Sequence, residues 1–168
     1  MVIAPATADD ARAIAQIHVD AWRAAYVGIM PDEHLASLSV DEREAMWRQS
    51  IAAGQPELLV ARRDDRVIGW VSFGASRAKE APPEVGELWA IYLDPHHIAT
   101  GAGRALWSAA RTRLAARGFT SVILWVLAGN ARAVRFYERA GFALEPGSAQ
   151  RFTLGGREIE ELRYVTTL

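Results

Sequence analysis

The chain of 168 residues contains no cysteine and a single lysine, Lys79. The first absence excludes disulfide scaffolds, thiolate metal sites and a cysteine nucleophile. No run of about 18 uncharged apolar residues occurs, so the sequence offers no helical membrane span. An excess of one charge is lacking as well. Its 19 basic and 20 acidic residues leave a net charge of −1, and nothing global argues for nucleic acid as a partner. The opening MVIAPATADDAR has two acids by position 10 and no basic segment before an apolar core, unlike a secretory leader, so a cytoplasmic location is expected.

With 51% hydrophobic and 23% charged residues, the composition is that of an ordinary globular protein. No repeat, low-complexity tract or long linker divides it, so residues 1–168 are expected to form one domain. The charges are unevenly spread. Residues 1–50 hold eight acids, whereas residues 98–139 hold seven arginines (104, 111, 113, 117, 132, 135, 139) and one acid, Glu138. A basic segment in a near-neutral chain suggests a local anionic partner; an arginine-rich surface is the simpler alternative.

Apolar spacing supplies the coarse structure. Val2–Ala6 reads as a strand, and Asp9 to Tyr26 as a helix with Ala13, Ile14, Ile17, Ala21 and Ala25 on one face. Ser39-Val40-Asp41-Glu42 fits a capping box opening a second helix that ends by Gly54. Glu57–Arg63 and Val67–Ser76 read as strands around a turn at Asp64-Asp65-Arg66, and Gly86–Leu93 as a third. Gly101–Ala116 reads as a helix capped at Gly118, and Ser121–Leu127 as a strand covered on both faces. Ala131–Ala140 is a short helix, and Gly155-Gly156 joins Arg151–Leu154 to Arg157–Val165. Strand, helix, strand over residues 86–127 implies a parallel pair with a right-handed crossover, and the flanking hairpins imply a mixed sheet. The expectation is an α/β fold with helices on both faces.

The stretch from Leu93 to Arg104 (LDPHHIATGAGR) leaves a strand and enters a helix. Gly101 and Gly103 lack a β-carbon and would let an anion approach the backbone. The first amides of a helix have no partner within it and sit at the positive end of its dipole. That arrangement holds phosphates, and Arg104 adds a formal charge. No Gly-Lys-Ser/Thr follows, as a triphosphate-binding loop requires, and no third glycine of a dinucleotide fingerprint is present. A tight strand-to-helix turn without a ligand is the alternative reading.

Two motifs in order carry a family resemblance. Ile98-Ala99-Thr100-Gly101-Ala102-Gly103 is similar to the loop Gln/Arg-x-x-Gly-x-Gly/Ala of the GCN5-related N-acetyltransferase (GNAT) superfamily, and Asn130 to Phe142 (NARAVRFYERAGF) resembles that family's Asn-x-x-Ala-x-x-Phe-Tyr-x-x-x-Gly-Phe segment. The resemblance spans nearly the whole chain and is strongest over 84–142. It implies a mixed, mostly antiparallel central sheet with one parallel pair whose strands splay apart at a bulge. It also implies acetyl-CoA as co-substrate and acetyl transfer to a primary amine, on a small molecule or a peptide, by direct attack in a ternary complex. The alternative on the same fold is a non-catalytic acyl-CoA sensor; O-acetylation would differ only in the acceptor. Ile98 departs from the family's polar residue, which implies weaker cofactor affinity or a compensating arginine.

Carried over residue by residue, the resemblance assigns the diphosphate to the backbone of Ala99, Thr100, Gly101, Ala102, Gly103 and Arg104. It assigns the pantetheine arm to the backbone of Ile91, Tyr92 and Leu93, and further cofactor contacts to Asn130 and Ala133. Tyr137 stands where the family has a general acid near the coenzyme sulfur; an ordinary phenol, with a pKa of about 10, is protonated at neutral pH. Glu87 stands where many relatives carry an acid that serves as base, with Glu84 as fallback. Each has a plainer reading: a core tyrosine at 137, a helix cap at Asn130, a salt-bridged strand residue at Glu87. The acceptor is expected under the first helices, near Trp22, Tyr26, Met30, His34 and Trp47, with Trp89 and Trp125 on the central strands. These form an aromatic wall for an amine or they fill the core. His96 and His97 are adjacent on a turn and lack further ligands, so no metal is expected. The terminal hairpin offers an edge through which a second copy could make a homodimer.

Overall fold

A computed structural model describes residues 1–168. The chain runs β1 (Val2–Pro5), α1 (Ala11–Ala25), α2 (Asp32–Ser37), α3 (Val40–Ala53), β2 (Glu57–Arg63), β3 (Arg66–Ala75), β4 (Val85–Leu93), α4 (Ala102–Ala116), β5 (Ser121–Leu127), α5 (Ala131–Arg139), β6 (Ala143–Leu144), β7 (Gln150–Leu154) and β8 (Arg157–Thr167). The strands form one sheet in the order β1-β2-β3-β4-β5-β8, with β6 and β7 both paired to β8. Every pairing is antiparallel except β4 with β5. The fold is therefore the mixed, mostly antiparallel α/β arrangement expected. No helix is long and apolar enough to cross a membrane.

Local chemistry accounts for the boundaries. Asp64 and Asp65 turn the β2–β3 hairpin with φ of 49° and 61°, and Gly155 and Gly156 turn β7 into β8 with φ of 54° and 78°. Both are two-residue turns whose left-handed residues match the right-handed twist of the flanking strands. Ser39 Oγ accepts from the Glu42 amide at 3.2 Å and opens α3. Two elements escape the sequence reading. The helix α2 has six residues, too few for an apolar period to declare itself, and β6 has two. The first helix also starts with a 3-10 turn, Ala8–Asp10, held by Asp10 Oδ2 accepting from Thr7 N at 2.8 Å.

Burial divides the sheet into two faces. On one, α1 and α3 cover Leu58, Val60 and Trp70 with Ile14, Ala15, Ile17 and Trp47. On the other, α4 and α5 cover Leu59, Val71, Phe73, Val122, Leu124 and Val126 with Leu106, Leu114 and Tyr137. The strand β5 alternates between them: Val122, Leu124 and Val126 point to α4, whereas Leu127 packs with Tyr26, Met30 and Ile159 on the α1 side. This explains its continuous apolar sequence. Each fully buried leucine of α4 contributes roughly 2 kcal/mol of burial free energy, which fixes the helix, and hence its N-terminus, against β3 and β4.

Candidate active site

The wedge at the centre of the sheet comes from a register shift. Opposite Ser72 and Phe73 of β3 stand Ala90 and Leu88, which leaves Trp89 as an extra, unpaired residue of β4. A bulge bends its strand away from a neighbour. Accordingly, β4 pairs with β5 only from Val85↔Ser121 to Glu87↔Ile123, while β5 stays paired with β8 along all of Ser121–Leu127. Beyond Glu87 the backbone of β4, including Ile91, Tyr92 and Leu93, presents an open edge to the gap. Ile91 and Leu93 pack toward α4, and Ala90 and Tyr92 toward α1.

At the end of β4 the chain makes a compact loop. Asp94 Oδ1 accepts from His96 N at 2.9 Å, and Thr100 Oγ1 donates to His97 O at 2.7 Å. Ala99 and Gly101 then take left-handed conformations, with φ of 63° and 88°. None of the backbone N–H groups of residues 98–104 has an acceptor within the protein; the next, that of Ala105, donates to Gly101 O at 3.1 Å. Seven successive amides thus stand free at the head of a 15-residue helix, beside the exposed Arg104. Such an array can receive an anion through backbone alone, a use in which the apolar side chain of Ile98 takes no part.

The two glycines differ in their work. Gly101 meets no neighbour within 4 Å and is needed for its φ. A β-carbon at Gly103 would lie 3.2 Å from the Phe136 ring, so this glycine serves helix packing more than access to a phosphate. The close approach brings α5 to the loop. The arginines do not gather there as one patch: Arg113 and Arg117 pair with Glu57 at the far end of α4, and Arg111 reaches Thr167 O. His97 Nδ1 lies 3.3 Å from Asp94 Oδ2, and no three His, Cys, Asp or Glu side chains converge as metal ligands would.

Tyr137 on α5 is buried against Phe136 and Phe142. Burial pushes its phenol above the ordinary range, and nearby Tyr92 adds to the effect. Tyr92 and Tyr26 share a hydrogen bond of 3.2 Å between their hydroxyls; burial raises both, and Tyr26 also feels Tyr137. The phenols of Tyr26, just after α1, and Tyr92 of β4 thus meet, and that of Tyr137 on α5 lies near enough to influence Tyr26 and feel Tyr92, where sequence assigned only the backbone of Tyr92. Asn130 Oδ1 accepts from Ala133 N at 3.1 Å. Asn130 therefore caps α5 through its oxygen, and only its Nδ2 remains for a ligand; the Ala133 amide is used by the same cap.

Glu87 is 2% exposed, and both its oxygens are engaged. Oε2 accepts from the Arg77 amide at 2.8 Å, and Oε1 from Arg77 Nε at 2.8 Å and from Nη2. The Arg77 guanidinium also lies 5.0 Å from the Trp89 ring centre. Arg77 thus clasps Glu87 from the loop between β3 and β4, a partner that sequence reasoning missed because the two are joined by that loop. Of the wall residues, Trp22 packs edge-on against Tyr26 at 5.3 Å and carries Arg43 over its ring, and Trp125 carries Arg163. Beyond Trp125 the same face opens into a cavity of about 400 Å³ lined by Ser76, Val85, Ile123, Arg163 and Val165. Trp47 stands apart: it fills the core on Trp70 and donates to His18 Nδ1 at 3.2 Å.

Comparison with known proteins agrees with this geometry. Residues 13–142 match the model of the acetyltransferase (GNAT) family. The uncharacterized N-acetyltransferase YuaI of Bacillus subtilis is 32% identical over 164 residues, covering 96% of this chain and 90% of its own. Among solved structures, ribosomal-protein-alanine N-acetyltransferase from Brucella melitensis superposes with a TM-score of 0.80 at 25% identity over 100% of both chains. YncA of Salmonella typhimurium, solved with its cofactor acetyl-CoA, gives 0.77 at 25% identity, covering 99% of this chain and 93% of its own.

Proposed function

The chain belongs to the acetyltransferase (GNAT) family of acyltransferases, and from that premise we propose that it moves an acetyl group from acetyl-CoA to a primary amine by direct attack in a ternary complex. The observation that carries this reading is the row of free amides from Ile98 to Arg104 at the head of α4, beside the open edge of β4. Acetyl-CoA supplies the activated acyl group. The amides of 98–104 receive its diphosphate, and the edge at Ile91–Leu93 pairs with the pantetheine arm as an added strand would. A β-strand N–H in the gap polarises the thioester oxygen, whose charge grows as the amine attacks.

The amine nitrogen bonds to the acyl carbon, the carbon–sulfur bond breaks, and the amine gives up its proton to solvent. Tyr137, held protonated by its burial, donates to the departing sulfur and recovers its proton from solvent. Glu87 holds Arg77 across Trp89 and so shapes the acceptor wall; with both oxygens engaged, it is not the residue to which we assign the proton.

The test pairs binding with turnover. Acetyl-CoA should raise the melting temperature in a concentration-dependent way, and free thiol should appear when an accepted amine is added. Stabilisation without thiol release from any amine would leave the sensor reading. No stabilisation at saturating acetyl-CoA would remove both.

A further inference from the structure

Glu161 lies on β8 opposite Leu127, at the end of β5 from which β4 has turned away. Alternation along β8 puts it on the same face as Ile159, which packs on Tyr26 and Met30, and as Arg163, which lies over Trp125. It therefore stands between the α1–α2 connection and the aromatic wall, on the acceptor side of the sheet.

Its electrostatic situation sets it apart. Every other acidic side chain that is at least partly shielded from solvent has a partner. Asp10 pairs with Arg62, Glu44 with Arg48, Glu57 with Arg113, Glu87 with Arg77, Glu145 with Arg163 and Glu160 with Arg151. Asp20 accepts from Gln16, and Asp94 from the His96 amide. Glu161 accepts no hydrogen bond and pairs with no cation. The charges that act on it are Arg77 and Glu87 across the gap, which already neutralise one another; burial pushes its carboxyl up, Arg77 pulls it down and Glu87 pushes it up. Arg163, two residues along, is taken by Glu145. Arg157 spends its Nη1 on Gly28 O and Met30 O, Arg43 lies over Trp22, and neither makes an ion pair with Glu161. Glu161 is thus the one shielded acid on this face without an ion pair, diagonal to Trp125 across the β5–β8 ladder.

Resting on the acetyltransferase reading, we propose that Glu161 is the counter-ion for the acceptor's ammonium, and that the acceptor is a monocationic primary amine on an apolar stem. A single unpaired carboxylate matches a single positive charge. Trp22, Tyr26, Trp89 and Trp125 offer ring faces and edges to the stem. A carboxylate beside the amine, as in a free amino acid, would meet Glu161 with like charge, and a polyamine would carry cations for which this wall has no further free acid.

The experiment measures thiol release with phenethylamine and hexylamine as probes, against phenylalanine and spermidine, for the wild type, Glu161→Gln and the neighbouring Glu160→Gln. Acetyl-CoA stabilisation is recorded for each protein. The wild type should use the two monoamines at least tenfold more efficiently than phenylalanine or spermidine. Glu161→Gln should raise KM for the monoamines tenfold or more, with KM for acetyl-CoA and the melting temperature unchanged, and Glu160→Gln should behave as wild type. Wild-type kinetics in Glu161→Gln, or a wild type that ignores both monoamines while acetylating another amine, overturns this proposal and leaves the acetyltransferase reading standing. Absence of both acetyl-CoA stabilisation and thiol release overturns the reading itself.

Discussion

The ring of Phe136 occupies the space that a side chain on Gly103 would need, with its Cε2 3.2 Å from where a β-carbon would lie. This contact ties α5, which carries Tyr137, to the first turn of α4, which carries the free amides. Gly103→Ala should therefore cost about 1–3 kcal/mol by overpacking, measured by denaturant unfolding. It should also weaken acetyl-CoA stabilisation, because the helix head must shift. Phe136→Leu in the same chain should recover part of the loss; a double variant as unstable as the sum of the two singles would show that the ring is not the obstacle.

Ala99 sits in the left-handed region with φ of 63°, a conformation that costs a residue with a β-carbon about 1–2 kcal/mol. Ala99→Gly removes that strain at an entropic cost of about 0.5–1 kcal/mol. The variant should be as stable as the wild type or slightly more so, and should keep acetyl-CoA binding, since the loop acts through its backbone. A melting temperature several degrees below wild type would contradict the assignment.

His18 is enclosed by Trp22, Trp47, Trp70 and Tyr92, and burial, with a smaller effect from Arg43, lowers its pKa from 6.5 to about 3. The unfolded chain takes up a proton below about pH 6.5 that the folded one refuses until near pH 3. Stability is then complete above pH 6.5 and falls as pH drops through that window, by at most about 1.4 kcal/mol per pH unit. His18→Gln keeps an acceptor for the Trp47 N–H and removes the titration. The difference in unfolding free energy between wild type and variant should shrink on acidification from pH 6.5 to pH 4; a constant difference would mean that His18 titrates normally.

Tyr137→Phe removes one hydroxyl from a buried ring without changing its shape. If that hydroxyl donates to the leaving sulfur, turnover should fall by about 10²–10⁴-fold, with acetyl-CoA stabilisation preserved. Unchanged turnover would transfer the proton to another group, for which the hydrogen-bonded Tyr26–Tyr92 pair is the next to examine.

Local and periodic features were legible in the sequence. The glycine pair at 155–156, the cap at Gly118, the apolar run of β5 and the pairing of the 98–103 and 130–142 motifs all state their structure within a few neighbouring residues. The features that needed the fold are those made by partners far apart in the chain. Nothing local says that Arg77 clasps Glu87, that Tyr92 reaches Tyr26, or that Phe136 presses on Gly103. The splay at a bulge was expected by resemblance, but the residue that forms the bulge, the unpaired Trp89, appears only in the register between β3 and β4. The short α2 and β6 were lost for want of length, and the arginine-rich segment does not form one patch because α4 carries Arg104 and Arg113 to opposite ends.

The central claim is that the backbone from Ile98 to Arg104 holds a diphosphate. Amide-resolved NMR of the ¹⁵N-labelled protein titrated with coenzyme A reads those N–H groups one by one. The account predicts that the amides of residues 98–104, together with those along Ile91–Leu93, undergo the largest shifts and saturate together. Amides that stay in place while shifts gather elsewhere on the surface would contradict it.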